Sequence, residues 1–172
     1  MLKIVSGGQT GVDQGALAAA LEAGVPCGGW CPEGRMSAEG PIPPVYPVVE
    51  LAGAGYRERT FQNVLNSDGT AIIHDGELEG GTRLTWVFCE RHGRPSVVID
   101  AAALSGAQAA DALVEFVNGN GVRVLNVAGP RASKWPEAFE FARGSVIEAL
   151  DAYSTARCLL AASASQSQAS NS

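Results

Sequence analysis

The chain has 172 residues, 46% of them hydrophobic and 17% charged, with a formal net charge of −6 at neutral pH. That length suits one domain burying roughly two-thirds of the surface its unfolded chain would expose. The negative balance removes global electrostatic support for duplex nucleic acid, and no apolar run reaches the length that spans a bilayer.

Residues 2–6 read as a first strand. Gly7-Gly8-Gln9-Thr10-Gly11 follows as a tight turn, and residues 12–23 read as a helix closed by Gly24. Residues 25–30 are a short second strand weakened by Gly28 and Gly29, and residues 31–47 are too rich in Pro and Gly for regular structure. Residues 56–66 are helical, with Phe61, Val64 and Leu65 on one side. Asp68-Gly69 turns into a buried strand at 70–74, and a second glycine-bearing loop, 75–81, leads to a helix at 82–91. A strand at 96–100, a helix at 107–117 and a strand at 122–127 follow. After Gly129-Pro130-Arg131-Ala132-Ser133, a helix from 136 to about 153 keeps Phe139, Ala142, Val146, Leu150 and Tyr153 in helical spacing.

Strands that are continuous apolar runs, alternating with helices, imply a parallel sheet covered on both faces. The fold class is therefore α/β: a three-layer, Rossmann-like, doubly wound and mainly parallel sheet. Residues 1–155 form the single domain, and residues 156–172, poor in bulky apolar side chains, are expected to be a weakly ordered tail.

Ligands of such sheets bind outside the carboxyl ends of the strands. Three loops fall there: Gly7 to Gly11, Gly80-Gly81-Thr82-Arg83-Leu84-Thr85, and Gly129-Pro130-Arg131. Helix N-termini leave backbone N–H groups open and carry partial positive charge, so two glycine turns at two helix starts suit an oxyanion. Thr10, Thr82 and Thr85 add hydroxyls, and Arg131 adds a guanidinium fork. The same turns also serve strand–helix junctions that bind nothing, and Thr82 also suits a helix cap.

Taken together, Gly7-Gly8-Gln9-Thr10-Gly11-Val12-Asp13, Tyr56-Arg57-Glu58-Arg59-Thr60, Asn63-Val64, Ser67-Asp68-Gly69-Thr70, Gly80-Gly81-Thr82-x-x-Thr85 and Leu125-Asn126-Val127-Ala128-Gly129-Pro130-Arg131 resemble the molybdenum carrier family of the Rossmann-like SLOG superfamily. That superfamily also holds lysine-decarboxylase-like nucleotide-binding proteins and DprA-like proteins. The resemblance spans residues 2 to about 150. It implies a parallel Rossmann-like sheet, a homo-oligomer (dimer or tetramer), and a pocket for a nucleotide-like or pterin-phosphate ligand such as molybdenum cofactor. Phosphoribohydrolases of the superfamily carry a catalytic Glu in a PGGxGTxxE motif. Here Glu79 stands where Pro would precede the glycines, and Val87 or Phe88 stands where that Glu would fall.

Among other residues, Cys27 with Cys31 and Cys89 with His92 lack the tight paired spacing of structural zinc. Cys27 or Cys31 near the pocket would offer sulfur to a soft metal. His74 at a strand end suits either acid–base work or a local hydrogen bond. Asp13 in the first helical turn would repel a phosphate unless it points away or binds a cation or ribose hydroxyl. Arg57 and Arg59 suit either the ligand or a solvated helix face. Trp30 suits stacking on a planar heterocycle, whereas Trp86 and Trp135 suit packing roles.

The reading is a cytoplasmic, non-catalytic carrier with no catalytic or metal-ligating residue assigned. Gly7, Gly8, Gln9, Thr10, Gly11, Gly80, Gly81, Thr82, Thr85 and Arg131 would hold a small phosphate-bearing ligand, either molybdenum cofactor or a nucleotide derivative. The alternative is a nucleotide-processing enzyme, and single-stranded nucleic-acid binding is disfavoured by the charge and the lack of a basic-aromatic platform.

Overall fold

The computed structural model describes residues 1–169. Along the chain it runs β1 (Lys3–Val5), α1 (Val12–Glu22), β2 (Cys27–Gly28), β3 (Trp30–Pro32), a 3-10 turn (Glu33–Arg35), β4 (Met36–Ser37), β5 (Gly40–Pro41) and β6 (Val49–Leu51). It continues through α2 (Tyr56–Leu65), β7 (Gly69–His74), α3 (Gly80–Arg91), β8 (Ser96–Asp100), α4 (Gly106–Asn120), β9 (Val124–Ala128) and α5 (Ala138–Ala169).

Five strands make the central sheet in the order β2-β1-β9-β7-β8, and every pairing is parallel. Helices flank the sheet, so the expected Rossmann-like α/β architecture is present. The chain winds outward from β1 to β2, returns to the far edge through β7 and β8, and then inserts β9 beside β1. The carboxyl ends of β1, β9 and β7 thus lie side by side where the winding reverses, which is where open α/β sheets place ligands.

One face carries the main core. Ile4, Ala71, Ile73, Ile99, Leu125 and Val127 alternate onto it and pack against Val12, Ala16 and Ala20 of α1, Leu113 and Val117 of α4, and Ala142 and Val146 of α5. On the other side Val64 of α2 meets Phe88 and Cys89 of α3, with Phe61 and Leu84 completing the cluster. Ser105 opens α4 with a capping box, its hydroxyl accepting from the Gln108 amide and its own amide donating to the Gln108 side chain. Asp68 joins β7 to β9, because its Oδ2 accepts from the Arg123 and Val124 amides at 2.9 and 2.8 Å. Those two bonds hold its carboxyl below the usual carboxylate range.

Several boundaries differ from expectation. The second strand is only Cys27–Gly28, since Gly29 at φ 125° turns the chain out of the central sheet. Trp30 then begins β3, which pairs in parallel with β6 in a separate two-stranded sheet. The proline-rich stretch is ordered, with a small β4–β5 hairpin and an apolar cluster of Cys31, Ile42, Tyr46 and Val48 on Leu17. Side chains supply what a backbone ladder does not. The Arg35 guanidinium donates to the carbonyls of Val48, Pro43 and Tyr46. The Asn63 amide bonds both the N–H and the carbonyl of Trp30, at 2.9 Å each. Helix α5 continues past Tyr153 to Ala169, and residues 170–172 of the expected tail lie outside the described residues.

Candidate functional site

A cleft of about 860 Å³ opens at the carboxyl edge of the sheet, within the size range of small-molecule and cofactor sites. Its walls come from the end of β9 and the loop after it (Ala128 to Arg131), the start of α3, the first turns of α2, and Gln9. Ala38 of the β4–β5 hairpin reaches the same space. Four cationic residues line it (Arg57, Arg59, Arg131, Lys134), as do four carboxylates (Asp13, Asp75, Glu77, Glu79).

The second glycine loop runs directly into a helix. Helix α3 begins at Gly80, with Glu79 as its cap residue and no side-chain capping bond. Its first internal bond at this end runs from the Arg83 amide to the Glu79 carbonyl. Among the described residues the amides of Gly80, Gly81 and Thr82 have no partner, which is the ordinary condition of a helix N-terminus. A Cβ added at Gly81 would meet no heavy atom within 4 Å, so this side of the turn is open. Thr82 lies inside the helix and is therefore not its cap, while the Thr85 hydroxyl donates back to the Gly81 carbonyl at 2.9 Å.

The first glycine loop is arranged differently. The Gln9 amide bonds Asp13 Oδ2 at 3.2 Å, the Thr10 amide bonds Gln9 Oε1 at 3.0 Å and the Val12 amide bonds the Pro130 carbonyl at 3.2 Å, whereas the amides of Gly7, Gly8 and Gly11 have no partner among the described residues. Gly11 adopts φ 83°, and the Pro130 carbonyl fills the space of its absent Cβ, so the first and third loops are joined backbone to backbone. Gly8 lies against Ile42. Of the ten residues assigned from sequence, Gln9, Gly80, Gly81, Thr82, Thr85 and Arg131 line the cleft. Gly7, Gly8, Thr10 and Gly11 do not.

Behind the loop sits a buried ion pair. Arg59 Nη1 donates to Asp13 Oδ2 at 3.1 Å, with the side chains 11% and 3% exposed. The guanidinium occupies the space where a Cβ on Gly7 would sit. Asp13 thus points to a cation, one of the arrangements expected for a carboxylate in that turn. Burial pushes its carboxyl upward, against the opposing pull of Arg59 and of the Gln9 and Gly129 amides. Arg57 lies over the Phe88 ring at 5.3 Å, Lys134 meets Glu79 at 3.6 Å on the surface, and the Arg131 side chain has no bonded partner among the described residues.

Other expectations resolve as follows. Trp30 does not line the cleft, and its indole N–H donates to Asn66 Oδ1 at 3.0 Å. Trp86 is exposed, whereas Trp135 packs on Phe141 and forms part of the cleft wall with Tyr56. Sequence reasoning missed these two rings. His74 is buried, and its Nδ1 has no hydrogen-bond partner. No cysteine lines the cleft; Cys31 and Cys89 are fully buried, and burial pushes their thiols and that of Cys27 upward. Among the described residues no three of His, Cys, Asp and Glu converge on a metal-holding position, and no helix is long and apolar enough to cross a membrane.

Residues 4–150 match the model of the circularly permutated YpsA SLOG family. Among solved structures, the chain is similar to one from Syntrophus aciditrophicus described as a "putative molybdenum carrier protein". The two share 41% sequence identity with a TM-score of 0.83, over 87% of this chain and 94% of the other. No curated protein matches.

Proposed function

The chain belongs to the circularly permutated YpsA SLOG family, and from that premise we propose that it is a carrier holding a phosphate-bearing pterin or nucleotide-like ligand in the cleft. The observation that supports this is the open N-terminus of α3. Three unpartnered amides, at Gly80, Gly81 and Thr82, face a cleft that also contains Arg59 and Arg131. Backbone donors and the helix dipole at one end, with guanidinium groups nearby, are the chemistry of phosphate recognition.

The name of the Syntrophus relative extends the proposal to molybdenum cofactor as the ligand. The donors of the cleft fit its phosphate and pterin rather than its metal. Backbone amides, hydroxyls, guanidinium groups and the ring of Tyr56 suit an oxyanion and a planar heterocycle. With no thiol or thioether in the wall, the protein would hold molybdenum through the rest of the ligand and not through sulfur of its own. Gln9 at the edge of the first loop would contact the ligand through its side-chain amide, and the remaining loop glycines would support the wall from behind. We also propose a cytoplasmic homo-oligomer that does not bind nucleic acid, in keeping with the net charge of −6.

A second reading, hydrolysis of a nucleotide, draws on Asp75 and Glu77, which bring carboxylates to the same cleft although the Glu of the phosphoribohydrolase motif is missing. A thermal-shift panel of AMP, ADP-ribose, NAD, molybdate and molybdenum cofactor separates these readings. A carrier gives one strong stabiliser that is recovered unchanged. Release of free base from AMP would establish the hydrolase instead, and no stabilisation by any member would remove the cleft as a ligand site.

A further inference from the structure

We propose that Arg59 is the charged anchor of this cleft and that its free guanidinium edge receives a tetrahedral oxyanion, an inference that rests on the cleft being a ligand site. Arg59 lines the cleft although the residue is only 9% exposed. Removing a guanidinium from water is costly unless its donors are used. Only Nη1 is used, by Asp13. Nε is buried without a partner, and Nη2 has no bonded partner among the described residues. Nε and Nη2 carry parallel N–H groups on one edge of the guanidinium, the fork that matches two oxygens of a phosphate or carboxylate.

The surroundings are consistent with that use. Asp13 does not supply the missing acceptor: its one bond to Arg59 runs from Nη1 to Oδ2, and Nε is left without a partner. Its carboxylate instead holds the guanidinium in place, and Gly7 leaves the space the guanidinium occupies. A purely structural ion pair between α1 and α2 would leave the side edge without function. A bound oxyanion would complete it, and the three open amides of α3 line the same cleft. Donors of two kinds, aimed from separate elements, favour an anion with more than two oxygens, hence a tetrahedral group over a planar carboxylate. The phosphoryl end of a larger ligand and a free oxyanion such as molybdate share this chemistry.

The test uses the full chain with inorganic phosphate, molybdate and AMP as separate probes. The Arg59 Nε–H resonance is followed by NMR, and affinities of the wild type and Arg59→Lys are measured by calorimetry. Lysine keeps the charge facing Asp13 but loses the fork. The expected result is a saturable shift of the Nε–H resonance and a loss of affinity of about tenfold or more in Arg59→Lys. A response to phosphate or molybdate identifies a free oxyanion as sufficient, and a response to AMP alone identifies the phosphoryl group of a larger ligand; both support the anchor. Binding with an unmoved Nε–H resonance overturns the role of Arg59 while leaving the cleft reading intact. That wild-type result decides the matter even if Arg59→Lys does not fold. Absence of binding by all three probes overturns the anchor, while the wider thermal-shift panel decides separately whether the cleft is a ligand site.

Discussion

Arg59 Nη1 lies 3.1 Å from Asp13 Oδ2, and the same guanidinium fills the volume that a Cβ on Gly7 would take. Two adjoining segments and a third distant in the chain therefore depend on one another at a single point. The first glycine loop provides the vacancy, α1 the carboxylate and α2 the cation. The loop's leading glycine is thus explained by a side chain that arrives more than fifty residues later.

Gly7→Ala should accordingly destabilise the protein by about 3 kcal/mol, because overpacking and the disturbance of a buried ion pair act together. Urea denaturation measures this. In an Arg59→Ala background the same substitution should cost far less, since the space has been vacated. Equal cost in both backgrounds would show that the guanidinium is not what Gly7 accommodates.

Asn63 should be the most sensitive polar residue outside the cleft. It is 3% exposed and bonds both backbone groups of Trp30, acting as the neighbour that β3 lacks on that side. Asn63→Ala leaves two backbone groups unmatched and should cost about 2 kcal/mol. Hydrogen exchange gives an independent reading, because the Trp30 amide should lose its protection while β7 retains its own. Unchanged protection at Trp30 would contradict this role.

Asp68 yields a pH dependence of defined sign. Its carboxyl is held below the usual value of 3.8 by the Arg123 and Val124 amides. A lowered folded-state value means that its stabilisation is present above the unfolded value and is lost as the pH falls through the folded one. Asp68→Ala should therefore be about 1 kcal/mol less stable than the wild type at pH 7. The gap should narrow as the pH drops below the ordinary carboxylate range. A gap that stays constant down to acid pH would assign the loss to something other than the ionised carboxylate.

The alternation of apolar strands and helices was sufficient to read the parallel sheet, and β8 falls at residues 96–100 as its sequence suggests. The sequence also marked the α3 glycines, which stand at the start of a helix and line the cleft. What escaped it rests on contacts between distant residues. The proline-rich stretch lacks any periodic signal, yet Arg35 and Asn63 order it through side-chain bonds. In the first loop Asp13 and Gln9 occupy the Gln9 and Thr10 amides, and only their spatial arrangement reveals this. Trp135 packs on Phe141 as expected but also forms part of the cleft wall, which Trp30 does not, as ring content does not indicate which face a ring is turned toward.

The most direct test of a ligand seated on the α3 N-terminus is calorimetric titration of Gly81→Val with whichever compound most stabilises the wild type. A Cβ at residue 81 meets open space, and Gly81 has no left-handed backbone requirement, so the substituted helix should fold with equal or slightly greater stability. The side chain would nevertheless stand where the ligand's oxyanion must approach. Wild-type stability is expected, with affinity reduced by about tenfold or more. Wild-type affinity in a folded Gly81→Val protein would contradict it.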